Sequence, residues 1–96
     1  MWIRYGVEFS WDESKRESVL QERGIDFLRV AFSLFDGRPL LTVPTARDEE
    51  ERFLSIGPME GKFFATVWTW RDGTIRIITA RRARDEEEKR YRALYG

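Results

Sequence analysis

Thr69-Trp70-Arg71-Asp72-Gly73-Thr74-Ile75-Arg76-Ile77-Ile78-Thr79-Ala80-Arg81-Arg82-Ala83 is the stretch that decides the fold. An Asp-Gly pair between two apolar runs marks a two-residue hairpin turn, because both central residues must take positive φ. Such a turn at 72–73 pairs Arg71 with Thr74, Thr69 with Arg76, Val67 with Ile78 and Ala65 with Ala80. Opposed residues share a face. One face then carries Thr69, Arg71, Thr74 and Arg76. The other carries Phe64, Trp68, Trp70, Ile75 and Ile77, and faces the core. Arg81 falls at the strand end, where a bulge or the turn into the next helix would redirect it.

Working back from the hairpin, a long strand is expected from Lys62 to Arg71, after a broad turn at Glu60-Gly61. Arg52 to Ile56 reads as a strand closed by Gly57-Pro58, and Pro44 to Glu50 as a charged loop after a short strand, Leu40 to Val43. Phe27, Val30, Ala31, Leu34 and Phe35 recur at helical spacing behind Asp26, so a core-facing helix is expected there. An earlier, mostly polar helix should run from about Asp12 to Arg23 and end at Gly24. Ile3, Tyr5, Val7 and Phe9 alternate with polar residues and Gly6, which predicts one half-buried strand. Forward of the hairpin, Asp85 to Leu94 reads as a last helix with acids in its first turn and bases later. The class is α+β: two N-terminal helices on a mainly antiparallel sheet, then a C-terminal helix, all in one domain over 1–96.

Composition narrows the chemistry. Lys+Arg and Asp+Glu balance at 17 each, so bulk charge gives no argument for a nucleic-acid partner. Local charge does: residues 71–84 hold five arginines against Asp72 alone, while Asp48-Glu49-Glu50-Glu51 and Asp85-Glu86-Glu87-Glu88 are acidic runs. The chain has no His and no Cys, which removes imidazole acid–base pairs, thiolates and nearly all zinc sites; no metal or cofactor is expected. No segment is apolar enough to span a membrane, and the first residues lack a signal-peptide layout, so a cytoplasmic location without membrane association is expected.

Several blocks resemble one family. Phe9-Ser10-Trp11-Asp12 with Lys15, Gly24-Ile25-Asp26-Phe27, Glu51-Arg52-Phe53 with Ile56-Gly57, and Ile75 through Ala83 followed by Glu87 and Tyr91 are similar to the BrnT toxins of type II toxin–antitoxin systems. The resemblance implies a RelE-like fold, ribonuclease activity, and a BrnA-like antitoxin with a ribbon-helix-helix domain, DNA being bound only through the complex. The chain departs from the usual family pattern at Val19, Glu22 and Arg23, and its last helix opens with acids.

RNA can be cut without metal or His when its own 2′-OH attacks the neighbouring phosphate. The protein must align that attack, help remove the proton and stabilise the developing charge. Arg76 and Arg81, then Arg52, are the candidate charge stabilisers. Glu51 or Glu87 with a raised pKa, or Lys15 with a lowered one, are candidate bases. Arg71, Arg82, Tyr91 and Glu87 are candidate RNA contacts, Tyr91 by stacking. The plainer reading makes Arg71 and Arg82 surface ion-pair partners, Lys15 a solvated helix residue and Tyr91 helix packing. The alternative function is an antitoxin-binding module that has lost activity.

Overall fold

The computed structural model describes the backbone of residues 2–4, 6–47 and 50–96, and the side chains of 6–45 and 51–96. The elements run β1 (Trp2–Arg4), β2 (Val7–Trp11), α1 (Glu13–Arg23), α2 (Phe27–Arg29), a π-helical turn (Val30–Leu34), β3 (Leu41–Arg47), β4 (Glu50–Met59), β5 (Lys62–Arg71), β6 (Thr74–Arg82) and α3 (Asp85–Tyr95). They build an α+β domain around one six-stranded sheet, ordered β1-β2-β6-β5-β4-β3. Four of its neighbouring pairs are antiparallel, and β2 lies parallel to β6.

The strand expected from Ile3 to Phe9 is in fact two. Gly6 takes φ 77°, and β1 folds back antiparallel on β2, with Trp2 opposite Phe9. Tyr5 lies outside the described residues. The charged loop expected at Pro44–Glu50 is also corrected: β3 continues to Arg47, and β4 begins at Glu50. Asp48 and Glu49 lie outside the described residues. A proline belongs in a strand only where no neighbour needs its N–H, and β3 is the sheet edge. Strand β4 likewise passes through Gly57 and Pro58 to Met59, and β3 pairs only as far as Ile56, which leaves one side of Pro58 without a strand neighbour. The turn at Glu60-Gly61 is tight, with φ of 55° and 79°, and Met59 opposes Lys62.

The 72–73 turn has φ of 54° and 77°, and the first four pairs follow the expected register from Arg71–Thr74 to Trp68–Ile77. A bulge then inserts Ile78. Val67 opposes Thr79, Thr66 opposes Ala80 and Ala65 opposes Arg81. The expected pairings of Val67 with Ile78 and Ala65 with Ala80 are therefore each off by one.

Asp12 caps α1 through its carboxylate, which accepts from the Ser14 and Lys15 amides at 2.9 and 3.4 Å. Gly24 closes α1 at φ 69°. Asp26 caps α2 by accepting from the Leu28 amide at 3.0 Å, and Arg16 clasps the same carboxylate at 2.8 and 3.1 Å. The expected second helix keeps its apolar stripe but widens after one α-turn, the Phe35 amide reaching back to the Val30 carbonyl. Phe27, Val30, Ala31 and Leu34 are buried with Val19, Phe9, Phe64, Trp68, Ile75, Ile77 and Ala80 on one sheet face. A smaller cluster of Leu41, Ile56, Phe63, Ala65 and Tyr91 sits under α3 on the other face. Helix α3 covers only one end of that second face, so the end near the 72–73 turn stays open.

Candidate functional site at the open end of the sheet

The bulge at Ile78 decides which arginines meet. Side chains alternate across a strand, so one inserted residue exchanges the faces of everything beyond it. With Ile78 paired in a straight register instead, Arg81 would share the helix-side face with Ile75 and Ile77. With the bulge, Thr79 and Arg81 stand on the open face, with Arg76 before the bulge and with Val67, Thr69 and Arg71 on β5. On β4, Arg52 and Leu54 take the same face, and Thr45 on β3 opposes Arg52. Ser10 of β2 is paired with Arg76 and adds the last strand to this face.

Two adjoining cavities lie here and share Arg52 and Ile78. The first, about 260 Å³, is lined by Asp12, Lys15, Arg52, Arg71, Arg76 and the Ile77–Ile78 stretch. Four cations face one carboxylate, and that carboxylate already accepts two amides of α1. The second, about 320 Å³, is lined by Thr45, Arg52, Leu54, Val67, Ile78, Thr79 and Arg81. Its lining is apolar and hydroxylic apart from its two arginines.

Arg81 is held by Glu87 through two contacts of 2.8 and 2.9 Å, and donates also to the Arg82 carbonyl. Glu87 in turn accepts from the Arg84 amide at 2.8 Å at the start of α3. The Arg81 guanidinium keeps the Glu87 carboxyl below the usual carboxylate range, and Glu87 raises the pKa of Arg81. The raised pKa that a Glu87 base requires is therefore not what the structure gives. Among the described residues, Arg76 makes no ion pair.

The structure thus brings Lys15, Arg52, Arg71, Arg76 and Arg81 together from among the expected site residues. It does not bring the others. Arg82 opposes Phe64, lies over its ring at 5.4 Å, and so faces the helix side. Tyr91 is buried, packs against Phe63 and Tyr95, and donates to the Pro39 carbonyl at 2.8 Å. Glu51 lines neither cavity, and its carbonyl accepts from Thr69.

Sequence reading missed four neighbours. Asp12 passed as a helix cap only, Thr45 fell in an expected loop, and Thr79 depended on the bulge. Glu8 on β2 accepts from Thr74 at 3.3 Å, one position along the face from the Ser10–Arg76 pair; its place follows only from the parallel β2–β6 pairing.

No helix among the described residues is long and apolar enough to cross a membrane. No group of His, Cys, Asp and Glu among them is placed to hold a metal ion. No curated protein sequence matches the chain. Residues 11–87 match the model of the BrnT toxins, described as ribonuclease toxins of type II toxin–antitoxin systems.

Proposed function

The chain belongs to the BrnT family of type II toxin–antitoxin ribonuclease toxins, and from that membership we propose that its open sheet end is an endoribonuclease site. The observation that carries the reading is the convergence of Lys15, Arg52, Arg71 and Arg76 on one cavity. A phosphate seated there meets several guanidinium forks, which match its geometry. In the reaction the 2′-OH oxygen bonds to phosphorus as its proton passes to a base, the bond from phosphorus to the 5′-oxygen of the next nucleotide breaks, and that oxygen takes a proton from water. The products are a 2′,3′-cyclic phosphate and a 5′-hydroxyl. Arg76 and Arg52 stabilise the extra charge on the non-bridging oxygens, where fixed donors act most strongly. Lys15, inside the cavity, is our candidate for the base.

Family membership brings an antitoxin partner. We take it to be a small BrnA-like ribbon-helix-helix protein, with DNA bound by the complex and not by this chain alone. We also read the chain as one domain of RelE-like architecture acting in the cytoplasm. A second reading, a binding module without activity, is favoured by the pairing of Arg81 with Glu87, which offsets one cation of the face.

The test is single-turnover cleavage of unstructured RNA, free and on ribosomes, with chelator present. Arg76→Ala and Arg52→Ala should each lose about 10²–10³ in rate, roughly 3–4 kcal/mol, as for one preorganised donor. Arg76→Lys should recover little, because a point charge lacks the fork. Parent-like rates in folded Ala variants would displace the site, and a parent that cuts nothing in either setting would leave the binding-module reading.

A further inference from the structure

The second cavity has a chemistry that phosphate binding does not use. Its floor is Leu54, Val67 and Ile78. Thr79 on β6 and Thr45 on β3 stand at opposite walls, with β5 and β4 between them. Three strand spacings separate those walls, roughly 14 Å, which leaves room for a ring system lying flat on the aliphatic floor. The charge of Arg81 at the wall is already met by Glu87. An uncharged planar ring finds an apolar floor and polar rims there.

The Thr79 hydroxyl has a defined polarity. Arg23, at the end of α1, donates to it at 3.3 Å and to the Ala80 carbonyl at 2.9 Å. A hydroxyl that accepts from a guanidinium keeps its own hydrogen to give. Thr79 is thus a donor toward the cavity, suited to a ring nitrogen or exocyclic carbonyl.

We propose that this cavity is a nucleobase subsite: an unpaired base of the RNA lies on Leu54, Val67 and Ile78, and Thr45 and Thr79 read its polar edge. The neighbouring phosphate then falls at Arg52, the residue common to both cavities. Unpaired bases are read in this way, by a face contact together with hydrogen bonds to the edge. The subsite rests on the RNA-cleaving reading for its role, and its binding can be measured without any cleavage.

Two experiments test it. In the first, the isolated chain is titrated with the four ribonucleoside 5′-monophosphates and with ribose 5-phosphate, following the methyl resonances of Thr45, Leu54, Val67 and Thr79. At least one nucleotide should shift these methyls and bind about tenfold more tightly than ribose 5-phosphate. Equal binding of all five ligands, with the methyls unmoved, would overturn the subsite. In the second, cleavage positions on a long unstructured RNA are mapped for the parent and for Thr79→Val and Thr45→Val. Both changes keep side-chain shape, and melting confirms folding. The preference at one nucleotide position should relax in at least one variant. If the parent cuts with a sequence preference that both variants keep, and the methyls do not respond, the subsite is wrong and the catalytic reading stands. If the parent cuts nothing while the methyls respond to a nucleotide, the subsite stands and the catalytic reading falls.

Discussion

Asp26 and Glu87 each receive two contacts from an arginine, and each carboxyl is held below its usual pKa, first by that guanidinium and then by a backbone amide. A carboxyl whose folded pKa is lowered adds stability above its unfolded pKa and loses it as pH falls toward the folded value. Unfolding midpoints in urea should therefore stay level from pH 7 to about 4.5, near the ordinary carboxylate range, and fall below it. Asp26→Asn should flatten that fall. Asp26→Ala should destabilise by about 1–2 kcal/mol at neutral pH, through loss of the α2 cap. At this scale the sequence was informative about side-chain type and poor about partners. Arg76 and Arg52 were legible as candidates because a guanidinium fork matches a phosphate and because both fall in the blocks that resemble the BrnT toxins. The Arg81–Glu87 clasp was not, because it depends on where α3 begins relative to a bulged strand. Tyr91 was open to two readings, stacking on a base or helix packing; its ring lies buried against Phe63 and its hydroxyl donates to the Pro39 carbonyl.

The bulge at Ile78 sets the fate of every side chain beyond it. Deleting Ile78 would remove the bulge and keep the pairs beyond it, Val67 with Thr79 and Ala65 with Arg81, so Arg81 would stay on the open face. The deletion variant should keep the parent's circular dichroism spectrum and lose the Ile78 side chain from both cavities, and Ile78→Val should melt like the parent within about 1.5 kcal/mol. Sequence pattern cannot show this bulge, since Ile77-Ile78-Thr79 fits either register. It does show the turn, because Asp-Gly has one strong use between strands. The same contrast holds elsewhere. The stripe from Phe27 to Leu34 was legible, but the π-helical turn within it was not; one wide turn leaves the apolar spacing almost unchanged. Leu34 is buried in that turn, and Leu34→Ala should cost about 2–5 kcal/mol in urea unfolding. Gly57, read as a strand end, instead lets the chain that follows the π-helical turn approach the sheet, because a Cβ there would meet the Leu40 side chain at 2.5 Å and that of Leu34 at 3.3 Å.

Zero net charge gives the molecule as a whole no net pull on RNA; on the proposed reading, the cations at one end of one sheet face supply it. Binding should then release few counterions. With four cations lining the phosphate cavity, log affinity for single-stranded RNA should fall against log salt with a slope near −3 or shallower, taking about 0.7 per neutralised phosphate. A much steeper slope in filter binding would mean that RNA tracks across a different surface. The parallel pairing of β2 with β6 has a further consequence, in time and not in space. Glu8 and Thr74 touch across a separation of 66 residues, and Lys15 waits on strands made much later to complete its cavity. Closing so long a loop before any contact repays it slows folding, so refolding should be slower than in helical chains of equal length. During synthesis, the ribosome that makes this chain holds a polypeptide without a finished site until nearly all of it has emerged. On the proposed reading, a prematurely ended copy that stops before Arg76 should cut no RNA, whatever lies beside it.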